Sequence, residues 1–289
     1  MKITVLPNAV KDTDLAVTGA AIGLLRSCGA EVFLPEAFAG RFDGCAYFNA
    51  RHFPRCSDVL LVVGGDGSIL DASVYAIRFG IPVLGINLGR LGYLSELEVG
   101  ELPRLRELCR GAYTVRSRMT LQAEILSPTG KKSIRRMAVN DVVIGNRGAG
   151  CPVDLAVSDG GGDEILYRAD GLICATPTGS TAYSLSAGGP VIDAEVEAIC
   201  LTPICPHSFF NRSVLFPAGA ELQIRNASRA GHILTVSVDG RALNLLKPGE
   251  ILSVRRSRRA LGTVSFEKDG ILGAVHDKMN ASILKADRK

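Results

Sequence analysis

Two textures of hydrophobic patterning divide the chain. Over roughly the first hundred residues, short apolar blocks alternate with stretches whose apolar positions recur at helical spacing. Lys2 to Leu6, Ala30 to Leu34, Val59 to Val63 and Ile81 to Ile86 read as strands. Val59 to Val63 has no polar alternation at all, the mark of a strand buried on both faces. Asp12 or Thr13 through Cys28 follows the helical period, with Gly29 closing it. A second helix is expected from Ser68, a suitable N-cap, through Ile69, Leu70, Ala72, Ala76, Ile77 and Phe79, ending at Gly80 before Pro82. A third, rich in Leu and Arg, is expected from Leu102 to Arg110. Strand and helix in alternation predict an α/β domain with a parallel, Rossmann-like sheet and right-handed crossovers. Ligands bind such sheets at the carboxyl ends of the strands.

Between Tyr113 and Met119 the pattern changes. Short strand-like runs follow, separated by Gly, Pro, Asn and Asp: Leu121 to Leu126, Ile134 to Val139, Val142 to Ile144, Val153 to Val157, Glu164 to Tyr167, Leu172 to Ala175, Ser213 to Phe216, Leu222 to Ile224, Leu234 to Val238 and Ile251 to Val254. They predict an all-β second domain, a sandwich of two antiparallel sheets. The expected division is 1–115 for the α/β domain and 116–268 for the β-rich one. A last helix, within 269–289 and clearest from Asp269 to Leu284, is expected to rejoin the first domain.

Three stretches carry candidate chemistry. Gly64, Gly65, Asp66, Gly67 and Ser68 join the most apolar strand to the helix after it. Three glycines there are expected to let the backbone take positive φ and approach a ligand. On these residues alone, Asp66 reads either as a turn former or as a carboxylate placed beside a phosphate site. The next strand also ends in glycines, from Gly85 and Asn87 through Gly89 and Gly92 to Tyr93, and the two loops would line one crevice. The second stretch runs from Asp170 to Pro190 and carries five Ser or Thr side chains between positions 176 and 184. Buried and unpaired they would cost stability, so they cap, face solvent or bind a ligand; Ser180 or Thr181 is the expected N-cap. The third is Asn140 and Asp141, which interrupt an apolar β pattern either as a bulge or turn or as a site.

Composition narrows the setting. Hydrophobic residues make up 47% and charged residues 21% of 289, ordinary for a globular chain. A net charge of +4 is too mild to imply nucleic-acid binding and suits small anionic substrates. No apolar segment approaches the ~20 residues of a membrane helix, and Met1 to Leu6 runs directly into a first strand, so no membrane partner and a cytoplasmic location are expected. Eight scattered cysteines show no zinc-like spacing and are expected to be mostly packed, reduced thiols. No metal-ligating residues are assigned.

Together these stretches, with Pro203, Ile204, Cys205, Pro206 and His207, resemble the NAD kinase family over nearly the whole chain. The glycine-aspartate loop is shared with lipid kinases and phosphofructokinases, whereas the Asp170 to Pro190 segment is specific to NAD kinases. The resemblance implies transfer of the γ-phosphate of ATP, or of another donor, to the 2′-hydroxyl of the adenosine ribose of NAD, giving NADP. It implies Asp66 as proton acceptor, with Gly67 giving room for the ribose, and Tyr93, replacing a frequent Phe, near the adenine. Asn140 and Asp141 hold the adenosine end, Asp141 with a shorter reach than the frequent Glu. Thr181, Ala182, Tyr183 and Ser186 belong to the dinucleotide-binding run. Asp170 contacts the nicotinamide end from a neighbouring subunit in a homotetramer or homodimer. Arg168 stands where oxidised and reduced substrates are distinguished, and Arg241 where Gln is frequent. The implied cofactor is a divalent cation, Mg²⁺.

No GxxxxGK[ST] motif occurs, so turn amides and Mg²⁺ are expected to hold the triphosphate. His207 reads as a loop or interface histidine, and the run Arg255, Arg256, Arg258, Arg259 as a solvated strand end. Two other functions are weighed. A lipid kinase would need an apolar acyl cleft where the chain instead carries hydroxyls, and a non-catalytic NAD(P)-sensing module would need no acid at position 66.

Overall fold

The computed structural model describes residues 1–89, 92–128, 134–146, 152–207, 211–228, 233–247 and 249–266. The chain forms two compact units, one of Met1–Ser117 with the strand that begins at Leu261, the other of Arg118–Ala260. Strands β1 (Lys2–Pro7), β2 (Glu31–Pro35), β3 (Ala46–Phe48), β4 (Val59–Gly64), β5 (Val83–Asn87), β6 (Leu97–Glu98) and β7 (Thr114–Arg118) belong to the first unit, with helices α1 (Ala16–Ser27), α2 (Asp66–Phe79) and α3 (Leu105–Cys109). The second unit holds β8 (Leu121–Leu126), β9 (Ile134–Ala138), β10 (Asp141–Asn146), β11 (Val153–Ser158), β12 (Ile165–Ala169), β13 (Gly171–Ala175), β14 (Ala198–Ile204), β15 (Val214–Pro217), β16 (Glu221–Asn226), β17 (Leu234–Val238), β18 (Arg241–Leu246) and β19 (Ile251–Arg256), with the one-turn helix α4 (Tyr183–Ser186). Strand β20 (Leu261–Ser265) closes the described chain.

In the first unit the strands run β3-β2-β1-β4-β5-β20-β7, with β6 beside β5. The pairs along β3-β2-β1-β4-β5-β20 are parallel. All six residues of β4 are buried, as its unbroken apolar run predicts for a central strand. Ile3, Val5, Val59, Leu61 and Val63 share one apolar cluster with Ala21, Ile22 and Leu25 of α1 and Leu105 and Leu108 of α3, while α2 packs on β4 and β5. The helix expected over 102–110 is split. Pro103 sits in a 3₁₀ turn, Val99–Arg104, and α3 starts only after it, because proline has no N–H for the α-helical ladder.

Leu261–Ser265, expected within the β-rich domain, instead pairs in the parallel sheet, with Thr263 opposite Val83. The second unit is therefore an insertion between β7 and β20, which are neighbours in that sheet. It consists of two six-stranded sheets, β15-β14-β13-β10-β17-β18 and β12-β11-β16-β19-β8-β9, antiparallel throughout. Alternate residues of both, among them Leu121, Ala123, Val142, Ile144, Leu172, Val236, Leu252 and Val254, fill a single core. This is the predicted sandwich. The helix expected within 269–289 and Cys151 lie outside the described residues. Of the seven described cysteines, all free, only Cys174 and Cys200 are buried, fewer than expected.

Candidate active site

In the first unit, three loops meet at the carboxyl ends of β1, β4 and β5. Helix α2 begins three residues earlier than expected, at Asp66, with Gly65 rather than Ser68 as its N-cap. Ser68 does not cap it. Its hydroxyl accepts instead from Asn8 Nδ2 at 2.8 Å, tying α2 to the loop after β1. None of Gly64, Gly65 and Gly67 takes positive φ, so the expected conformational reason for these glycines does not hold. Close approach explains Gly64, whereas a β-carbon on Gly65 would displace only the end of a flexible side chain. A β-carbon on Gly64 would collide with the Ser68 hydroxyl, and one on Gly65 with the Lys11 ammonium. Gly67 differs, since a β-carbon there would meet nothing within 4 Å and the residue is exposed.

Asp66 lies in the first turn of α2, where the helix dipole favours a carboxylate. Both its oxygens accept backbone N–H groups, from Tyr93 at 2.9 Å and from Leu94 at 3.2 Å. The acid thus fastens the second glycine loop to the helix and is itself fixed in direction, while each carboxylate oxygen keeps a further lone pair. Asn87 braces the same loop by accepting from the Gly89 N–H at 2.8 Å and donating to Glu98 Oε1 at 2.9 Å. Asp66, Gly67 and Tyr93 are therefore brought together; Arg90 and Leu91 lie outside the described residues.

In the second unit, Val139 and Asn140 form the turn that enters β10, and Asp141 is the first residue of that strand. Asp239 builds that turn, a role sequence reasoning missed. Its carboxylate accepts from the N–H groups of Val139 at 2.9 Å, Asn140 at 2.8 Å and Asp141 at 3.2 Å. Asp239 and Gly240, at φ 49° and 74°, make the two-residue hairpin from β17 to β18, a turn that Asp-Gly favours. Asp141 itself is 5% exposed, and among the described residues no donor reaches its carboxylate. Burial, and then the nearby Asp239 charge, push its pKa up to about 6. Asp239 is also raised, by burial, against the pull of its three amide donors.

The hydroxyl-rich run packs on this turn. Thr176 accepts from the Gly179 N–H at 2.9 Å and donates to Val139 O at 2.6 Å, and its own N–H donates to Asn140 O at 2.8 Å. A β-carbon on Gly179 would collide with the Asn140 backbone. Ser180 bonds Pro177 O and the Ile192 N–H, Ser184 bonds Thr202, and Thr181 donates to Thr178 O at 3.2 Å. The length of the run thus comes largely from internal bracing. The N-cap of α4 is Ala182 rather than Ser180 or Thr181. Thr178 Oγ1 is the exception, buried without a partner. Tyr183 and Ser186, in α4, are exposed, and Arg241 opens β18 beside the Asp239 turn.

Arg168 and Asp170 stand elsewhere. Asp141 pairs with Ala175 and Gly145 with Gly171, so Asp170 is five residues along β13 from the Asn140 turn, about 17 Å at strand rise. His207 sits at that far pole, its N–H donating to Arg168 O at 2.7 Å.

The first unit thus fixes a carboxylate at the carboxyl edge of a parallel sheet, and the inserted antiparallel sandwich carries a buried acid and a hydroxyl cluster of its own. Residues 46–112 match the ATP-NAD kinase N-terminal domain and residues 140–266 the ATP-NAD kinase C-terminal domain. The NAD kinase of Caldanaerobacter subterraneus subsp. tengcongensis is 35% identical over 96% of this chain and 98% of its own length. That of Symbiobacterium thermophilum is 40% identical over 86% and 88%. This chain belongs to the NAD kinase family. Its fold is shared with yeast NADH kinase, solved with NADH, at TM-score 0.82 and 23% identity over 97% of this chain and 87% of that one. It is also shared with an NAD kinase from Archaeoglobus fulgidus, solved with ATP, at TM-score 0.67 and 22% identity over 97% and 98%.

Proposed function

We propose that this chain phosphorylates NAD to NADP: the 2′-hydroxyl oxygen of the adenosine ribose attacks the γ-phosphorus of ATP, the bond to the β,γ-bridging oxygen breaks, and ADP leaves. The hydroxyl proton passes to Asp66. The observation that carries this reading is Asp66 itself, aimed by two backbone N–H groups beside an exposed glycine whose open side has room for a sugar. Phosphoryl transfer asks chiefly for positioning and charge neutralisation, and an orienting carboxylate suits it.

Asn140, Asp141, Thr181, Ala182, Tyr183 and Ser186 take the dinucleotide, with Tyr93 at the adenine. Asp141 offers a buried carboxylate with open acceptor positions to ribose or adenine donors. Arg241 lies at the same pole. Arg168 and Asp170, at the opposite end of β13, are assigned to the nicotinamide side of a site shared with a second copy, which favours a homodimer or homotetramer. Mg²⁺ enters with the triphosphate as part of the substrate. Among the described residues no three His, Cys, Asp or Glu side chains cluster as a metal site, and Mg²⁺ commonly leans on substrate phosphates and water. No described helix is long and apolar enough to cross a membrane, and the cytoplasm, where both substrates are abundant, is the proposed location.

Asp66→Asn tests the reading. NAD binding by calorimetry stays near wild type, whereas NADP formation falls by ~10²–10⁴-fold. Normal binding with undiminished turnover would remove Asp66 from the chemistry.

A further inference from the structure

The loop after β1 carries a cation that none of the roles above uses. Asn8 shapes this loop: its Oδ1 accepts from the N–H groups of Val10 at 3.1 Å and Lys11 at 3.2 Å, and its own N–H donates to Val63 O at 2.9 Å. Asp12 anchors the other side by accepting from the Thr18 N–H at 2.8 Å and the Thr18 hydroxyl at 2.5 Å. Between these two anchors, the Lys11 side chain reaches across to the glycine loops. Its Nζ lies 2.4 Å from where a β-carbon on Gly65 would be and 3.7 Å from where one on Gly89 would be. Among the described residues it has no ion-pair partner.

Two positive ends therefore converge. Gly65 is the N-cap of α2, so the ammonium sits against the helix end that carries the positive pole and the unbonded N–H groups of the first turn. The Lys11 side chain is exposed, and an anion placed between the two positive ends would be attracted by both. The neighbouring carboxylate, Asp66, already accepts from Tyr93 and Leu94 and makes no ion pair with Lys11. A compact ammonium beside turn amides is suited to phosphate oxygens.

We propose that Lys11 binds the phosphates of the donor nucleoside triphosphate. The assignment rests on the NAD kinase reading and deepens it: the phosphoryl group in transit must lie at Asp66, one residue from the glycine that the ammonium covers. Lys11 then supplies from the β1 loop the charge that a P-loop enzyme draws from its own lysine.

The test is made on the full chain with Lys11→Met, Lys11→Arg and Gly65→Ala, the last displacing the ammonium while leaving it in the protein. Removing a charge-assisted hydrogen bond to phosphate weakens donor binding by about 10- to 100-fold. Calorimetry with a non-hydrolysable ATP analogue is expected to show that loss in Lys11→Met and Gly65→Ala and partial recovery in Lys11→Arg, while NAD affinity moves less than about twofold. In steady state the KM for ATP rises with it. Unchanged analogue affinity, an equal loss for NAD, or no analogue binding by wild type overturns the assignment. A wild type that binds the analogue through Lys11 but forms no NADP would instead sink the NAD kinase reading and leave the phosphate site standing.

Discussion

Asp141→Asn is expected to stabilise the protein at neutral pH and to do almost nothing in acid. Burial raises the Asp141 pKa from 3.8 to about 6, with the Asp239 charge adding to it. A folded-state pKa above the unfolded one means a stabilising contribution present in full below pH 4, which is lost as pH rises through about 6. A shift of about 2 units at 1.36 kcal/mol each corresponds to about 3 kcal/mol lost by pH 8. The near-isosteric amide removes the charge and so recovers up to that amount, about 6–12 °C in Tm for a domain of this size. Thermal unfolding of wild type and variant from pH 4 to 8 measures it. The gap between the two curves should open across pH 4–6 and then level off. A gap independent of pH, or a variant less stable at pH 8, would refute the argument. NAD binding supplies a second readout. If ribose or adenine donors bond the carboxylate, affinity rises with pH through about 6, and the variant loses both that dependence and part of the affinity.

Gly67→Ala places its methyl in open space within the first turn of α2, so helix propensity favours it by roughly 0.5–1 kcal/mol. A higher Tm together with a large fall in NADP formation would assign that space to the substrate, and unchanged turnover would take Gly67 out of the site. Asp239→Asn keeps the left-handed turn, which Asn tolerates, but puts an NH₂ donor where one carboxylate oxygen accepted a backbone N–H, leaving that amide unpaired. Its cost is about 1–3 kcal/mol at pH 8 by chemical denaturation. With the repulsion gone, the acid limb assigned to Asp141 moves to lower pH, and an unmoved limb would contradict the coupling.

What was legible in the sequence was whatever short-range pattern determines. The unbroken apolar run of Val59–Val63 announced a central parallel strand, and short strand-like runs such as Leu121–Leu126 and Leu234–Val238, separated by turn residues, announced a sandwich. Ala198–Ile204, buried through Pro203, went unread because a proline inside the run argues against a strand. The surroundings of the glycines were misjudged because they are tertiary: Gly65 faces a lysine more than fifty positions earlier, and only the pairing of β1 with β4 brings that lysine near. For the same reason Lys11 gave no signal of its own. Asp239 had one, the Asp-Gly hairpin, but its hold on the Asn140 turn depends on β17 lying beside β10. The hydroxyls of 176–184 suggested a ligand surface, yet most answer to neighbouring backbone, and only register along β13 reveals that Asp170 belongs to another pole.

The insertion has a consequence for how the chain comes off the ribosome. β20 emerges only after everything from Arg118 to Ala260 has been made, and until then β5 lacks one of its eventual neighbours. The sandwich has all its strands and can settle while the earlier sheet still waits with an unzipped border. A nascent or truncated chain ending before Leu261 would present that border to any other strand in reach, so the last few residues of the sheet also guard the protein against sticking to its own unfinished copies.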